Sequence, residues 1–267
     1  MPINGLSRYS KLFKNIQNPF VYISNKIVPS SRVLTFVTKP IPIKFNVYQG
    51  KEHLMLIFKE IFLSDLYEID QLCEQLPNNP VIIDIGMNVG YFDILLLSKI
   101  PIKKIYAYEP VPSNIAFFKE TEEANKLVFR EMNVYQMAVT GKPLNSIDLY
   151  LEDSNNATVN ASVFAGFDKS HKNKLTVPCI TLTDIIINNN LEQIDYLKMD
   201  CEGSEFDILL NTDPELLKRI SKMTIEVHDL DNENNNIIHL ANYLESLGYS
   251  TSQYSVADTC HILHVNK

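Results

Sequence analysis

Val81-Ile-Ile-Asp84-Ile-Gly86-Met-Asn88-Val-Gly90-Tyr91 is the stretch whose reading decides the fold. It opens on three β-branched residues, Val81, Ile82 and Ile83, in an apolar run too short for a helix. That pattern predicts a parallel strand buried on both faces. Asp84-x-Gly86-x-x-x-Gly90 then turns, and the apolar spacing of residues 91–100 predicts a helix. Gly86 suits a tight turn that brings backbone close to a ligand, and Gly90 lets the helix start close against the strand. Nucleotide-like ligands bind outside the carboxyl ends of such strands, where the sheet order switches.

The spacing separates two cofactor classes. A dinucleotide fingerprint, Gly-x-Gly-x-x-Gly, leaves a helix N-terminus clear for pyrophosphate. Here Asp84 stands at the first glycine position, where a carboxylate repels phosphate and favours a ligand carrying positive charge. Nineteen residues beyond Gly90, the run Ile105–Tyr108 ends in Glu109, placed to accept hydrogen bonds from both hydroxyls of a ribose. A cationic end and a ribose together describe S-adenosylmethionine (SAM). A nicotinamide oxidoreductase on the same fold is the reading that Asp84 and the wide glycine spacing disfavour.

With 267 residues, 45% hydrophobic and 21% charged, the chain has the makings of a soluble globular protein with a sizeable core. Cys73, Cys179, Cys201 and Cys260 show no paired spacing and read as reduced thiols, so a cytoplasmic location is expected. No apolar run is long enough to span a bilayer. Charge is uneven: residues 1–51 hold eight Lys or Arg and no acid, while the whole chain carries −8. Residues 1–50 are therefore read as a basic extension and 51–267 as the main domain. Leu6, Tyr9, Phe13, Ile16 and Phe20 follow helical spacing. This arm is expected to pack on the acidic body; peripheral membrane contact through residues 1–20 and homo-oligomer formation are the other partners weighed. Nucleic acid is excluded because the body is acidic and lacks a basic track.

Along the chain, residues 21–50 read as short alternating segments, with 41–48 as the best strand, and helices are expected over 52–62 and 65–76. Asp65 and Glu68 have the spacing of a capping box. Helix 112–124, a strand within 128–138 and a strand at 146–152 follow, then a polar loop over 153–175. A strand at 177–182 and a helix at 183–189 come next. The C-terminus reads as a helix over 236–247 and a hairpin at the sheet edge, which completes an expected α/β fold of seven strands with helices on both faces.

The second chemical cluster is Lys198-Met-Asp200-Cys-Glu202-Gly203-Ser-Glu205, where an apolar strand ends in carboxylates. Met223-Thr-Ile-Glu226-Val-His228 repeats the arrangement. Asp200, Glu202, Glu226 and His228 are expected to face one cleft, with Asp200 and His228 as the functional pair. Glu205 reads as a helix cap.

These motifs together resemble the FkbM family of SAM-dependent methyltransferases: Asp84 to Tyr91, Tyr108-Glu109-Pro110, Thr181-Leu-Thr-Asp184, Lys198 to Glu205, and Glu226-Val-His228. The resemblance implies a seven-stranded Rossmann-like class I methyltransferase sheet. Implied with it is cofactor binding by Asp84, Gly86, Asn88, Gly90, Glu109 and Asp200. It also implies O-methylation of a sugar, glycan or other small metabolite, since family members of known activity methylate hydroxyl groups. An alcohol must lose its proton, and His228 is the first candidate for that base, with Asp200 and Glu202 beside it. A divalent cation such as magnesium held by Asp200, Glu226 and Glu202 is the alternative route. A silent binding module that uses the basic arm for a membrane or acidic partner remains the other functional class.

Overall fold

The computed structural model describes residues 5–29, 32–151, 161–162 and 173–267. The chain enters through helices Ser7–Asn15 and Phe20–Ile27 and an antiparallel hairpin, β1 (Val33–Val37) with β2 (Lys44–Tyr48). Helix Glu52–Lys59 continues directly into a π-helical turn, Glu60–Ser64, and helix Ile69–Gln75 follows. Strands β3 (Val81–Ile85), β4 (Lys104–Tyr108) and β5 (Met132–Tyr135) then alternate with helices Tyr91–Leu97 and Pro112–Ala124. A smaller sheet comes next, made of β6 (Ala138–Thr140), β7 (Ser146–Leu151), β8 (Ala161–Ser162) and β9 (Asn173–Thr181). The last strands are β10 (Tyr196–Met199), β11 (Lys222–His228), β12 (Ser250–Ala257) and β13 (Cys260–Asn266).

The main sheet has seven strands in the order β12-β13-β11-β10-β3-β4-β5. β11, β10, β3, β4 and β5 run parallel, and the edge hairpin inserts β13 antiparallel to β11. The order reverses between β3 and β10, so the crevice outside their carboxyl ends is the natural ligand site. Ile82 and Tyr196 pack into one apolar cluster, while Ile83, Ile85, Leu197 and Met199 pack into the other. Burial on both faces explains the continuous apolar runs that gave these strands away. This is the expected seven-stranded Rossmann-like α/β sheet with helices on both faces.

The N-terminal segment shares the first of those clusters. Phe36 stacks on Phe58 at 4.5 Å and Phe45 on Phe62 at 5.0 Å, and the Tyr91 hydroxyl donates to the Asn46 carbonyl at 2.9 Å. The basic arm does pack on the acidic body: Lys11 reaches Asp65 at 2.5 Å and Asp70 at 2.7 Å, and Lys14 reaches Asp70 at 2.8 Å. The buried side of the first helix is Leu12, with Ile16 just beyond it, whereas Leu6, Phe13 and Phe20 of the expected stripe stay exposed.

Three local readings are corrected. Residues 20–27 form a helix where alternation suggested extended chain, because Leu12, Ile16 and Tyr22 all bury against the aromatic cluster. The capping box does not form: Glu68 itself is left-handed (φ 51°), and the carboxylate of Asp65 accepts the Ile69 N–H at 2.9 Å. The expected loop over 153–175 contains β8 and the start of β9; residues 153–160 and 163–172 lie outside the described residues. Among the described residues no helix is long and apolar enough to cross a membrane.

Candidate active site

A cleft of about 350 Å³ opens over the carboxyl ends of β3, β4, β10 and β11. That is the lower range of small-molecule sites, which run from about 300 to 1,000 Å³. Its walls include Gly86, Asn88, Glu109, Asp200, Glu202, Glu226 and His228, so the fold brings these expected site residues to one cleft.

At the β4 end, Glu109 is 4% exposed and accepts backbone N–H groups from Asn88 and Val111, both at 2.8 Å. Burial pushes its carboxyl up to about 7, against the pull of those donors. Oε1 also accepts from Asn114 Nδ2 at 3.2 Å, so the acceptor capacity left for a ligand is the second lone pair of Oε2. Asn88 is left-handed (φ 55°) and lines the cleft beside Glu109. Gly86 is also left-handed (φ 79°), and a Cβ there would stand 1.7 Å from the carbonyl oxygen of Asp200. Its need for glycine therefore comes from the neighbouring strand end as much as from a ligand.

Two expected cofactor contacts are corrected. Gly90 is absent from the cleft wall; a Cβ there would meet the Phe118 ring at 2.5 Å, so its role is helix packing. Asp84 is fully buried behind the turn and does not line the cleft. Its Oδ1 lies 3.3 Å from Lys198 Nζ, which also donates to the Gly86 carbonyl at 2.5 Å. Lys198 lies 3.7 Å from Asp200 as well, and it went without a role in the sequence reading. Burial opposes the charge on Lys198, but Asp84, Asp200 and Asp93 hold its pKa above the usual lysine range. Burial and repulsion from Asp84 push the Asp93 carboxyl well up.

At the β10–β11 end the acids converge. Glu202 adopts a left-handed backbone (φ 53°), uncommon for a residue with a Cβ and frequent at functional sites. This conformation sets its Oε2 3.6 Å from His228 Nε2, and Glu226 Oε1 is 4.0 Å from the same nitrogen. Glu205 is fully buried, and its Oε1 lies 3.3 Å from His228 Nδ1 while accepting from Gly203 N–H at 3.2 Å. Glu205 is not the helix cap it was expected to be: Ser204 holds that position, and the Glu205 carboxylate instead closes the preceding turn and grips His228. Burial resists charge on His228, but Cys260 and these carboxylates raise it far above the ordinary imidazole range. The expected base, His228, thus stands on the cleft wall among three carboxylates, Glu202, Glu205 and Glu226. Burial, with repulsion from Asp200, pushes Glu226 up to about 7.

Glu60 and Tyr67, both from the segment that precedes the sheet, complete this end of the cleft. The Tyr67 hydroxyl lies 3.2 Å from Asp200 Oδ2 and 3.1 Å from Glu226 Oε2, bridging the two strand ends. Glu60 begins the π-helical turn, a feature frequent at functional sites. Burial, then repulsion from Asp200, pushes Glu60 up to about 7. A carboxyl raised above its unfolded value binds more protons in the fold, so stability is lost as pH rises from the unfolded value through about 7. Glu60→Gln should therefore raise stability at pH 8 by about 1–3 kcal/mol and change little near pH 4. Urea melts of both proteins at the two pH values check this; an equal shift at both would remove the titration as the cause.

With this geometry in hand, the comparisons are decisive. The model of the methyltransferase FkbM domain matches residues 84–251, more than half of the chain. The chain belongs to the FkbM methyltransferases. Methyltransferase 1 of Beauveria bassiana is 26% identical over 202 residues, covering 69% of this chain and 79% of that protein. Methyltransferase sdnD of Sordaria araneosa is 27% identical over 202 residues, covering 66% and 76%. The crystal structure of methyltransferase FkbM from Methylobacillus flagellatus KT is 18% identical, covering 69% of this chain and 43% of that one, with a TM-score of 0.46. The family is SAM-dependent, which sets aside the nicotinamide reading. Its matched region spans the glycine turn, Glu109 and both carboxylate-bearing strand ends of this FkbM chain.

Proposed function

We propose that this FkbM methyltransferase uses SAM to methylate a hydroxyl group of a sugar, glycan or other small metabolite. The observation that carries the reading is the two-ended cleft: buried Glu109 at one end, and Asp200, Tyr67 and Glu226 at the other. SAM supplies an activated methyl on a sulfonium, so the protein chiefly has to orient its partner and manage a proton. Glu109 is suited to a ribose diol, and Asn88 N–H fixes the direction of that carboxylate. The carboxylates at the opposite end balance the sulfonium charge. Asp200 and Tyr67 are placed to accept and donate hydrogen bonds to an acceptor hydroxyl. Glu226, with its pKa near 7, is matched to taking the hydroxyl proton at neutral pH.

Calorimetry with S-adenosylhomocysteine (SAH) tests the cofactor half. Glu109→Ala should lose about 1–3 kcal/mol of binding, the cost of unmet hydrogen bonds. Unchanged affinity would remove the ribose assignment. A panel of sugars, hydroxy acids, amines and thiols, read by SAH release, tests the acceptor half. Turnover confined to amines or thiols would sink the hydroxyl reading.

A further inference from the structure

His228 meets carboxylates on both of its ring nitrogens. Nδ1 faces Oε1 of fully buried Glu205 at 3.3 Å, and the other oxygen of Glu205 has no hydrogen-bond partner among the described residues. Nε2 faces Glu202 at 3.6 Å and Glu226 at 4.0 Å. Those two separations exceed hydrogen-bonding distance. The Glu202 separation fits two ligands of one ion, since donors about 2.0–2.2 Å from a metal stand roughly 3–4 Å from one another. Asp200, Glu202 and His228 each bring a donor atom within 4.8 Å of the others. All three line the cleft, at the end where Tyr67 bridges Asp200 and Glu226.

We propose that Asp200, Glu202 and His228 bind one divalent first-row cation at the acceptor end of the cleft, with Glu205 fixing the His228 ring from outside. One imidazole with two carboxylates is a donor set for manganese-like ions, softer than the all-oxygen set that magnesium favours. Metal-ligating histidines characteristically give their second ring N–H to a carboxylate, which is the place Glu205 occupies. Glu205 and Glu226 stand against the same imidazole, so four carboxyl groups gather at this end of the cleft. A cation there would lie against an acceptor oxygen and ease loss of its proton. That role in turnover rests on the methyl-transfer reading above; the binding itself does not. Glu226, His228 and Cys260 form an overlapping group, but Cys260 lies off the cleft wall.

The test is titration of the chelator-treated full chain with Mn²⁺, read by loss of the free-ion electron paramagnetic resonance signal, with and without SAH. One Mn²⁺ per chain is expected. Glu202→Gln and His228→Ala should each weaken it at least tenfold, while melting in the presence of SAH shows that the fold is kept. Glu205→Gln, which leaves every proposed ligand in place, should weaken it by about 10–100-fold. No binding to the wild type, or equal binding by wild type, Glu202→Gln and His228→Ala, overturns the proposal. So does loss of binding with Cys260→Ser but not with Glu202→Gln, which would assign a different ligand set. SAH bound without Mn²⁺ would overturn the metal site and leave the methyltransferase reading standing. Mn²⁺ bound without SAH would do the reverse.

Discussion

Gly86→Ala is expected to reduce SAH affinity by at least about 100-fold, equivalent to about 2.7 kcal/mol of binding. The left-handed backbone at Gly86 costs an alanine about 1–2 kcal/mol before any contact is counted. The larger effect is spatial, because the new Cβ would sit 1.7 Å from the Asp200 carbonyl oxygen. That oxygen belongs to main chain tied down by the Asp200 N–H bond to the Ile85 carbonyl at 2.9 Å. Neither partner can swing aside as a side chain would, so the two strand ends that frame the cleft must separate. Gly90→Ala makes the matched control: it meets the Phe118 ring, and its cost should appear in melting temperature more than in SAH affinity. SAH affinity for Gly86→Ala within threefold of wild type would show that the turn can open without disturbing the cleft.

Lys198→Met is expected to destabilise the fold by about 3–5 kcal/mol, the usual cost of removing one partner from a buried ion pair. The lysine is 3% exposed and Asp84 fully buried, so water cannot replace the lost ammonium. Asp93 stands next to Asp84 and, as a carboxyl group, offers no positive charge. The Gly86 carbonyl loses its donor in the same step. A drop in melting temperature of about 6–20 °C follows for a domain of this size. The double variant Asp84→Asn, Lys198→Met should recover part of it, since an amide tolerates burial better than a lone carboxylate. A single-variant shift under about 2 °C, or no recovery in the double variant, would show that the pair is not what holds this end of the sheet together.

The sequence by itself determined the parallel strands, the glycine turn, Glu109, and the two strands that end in Asp200 and in Glu226 and His228. These were legible because each depends on local rules: buried parallel strands are apolar throughout, and a left-handed turn needs glycine. Tertiary structure alone decided which of those residues line the cleft. Asp84 turned inward because Lys198, 114 residues away, supplies its counter-charge inside the fold. Tyr67 reached the cleft from a segment read only as a helix covering the sheet, meeting Asp200 across 133 residues and Glu226 across 159. Glu60 faces the cleft from a π-helical turn that no local pattern announced. The surroundings of His228 belong to the same class. An imidazole titrates near neutrality in isolation, but Cys260, Glu205 and Glu202 raise it here against the effect of burial, and field strength of that kind depends on distances through space that sequence spacing does not encode.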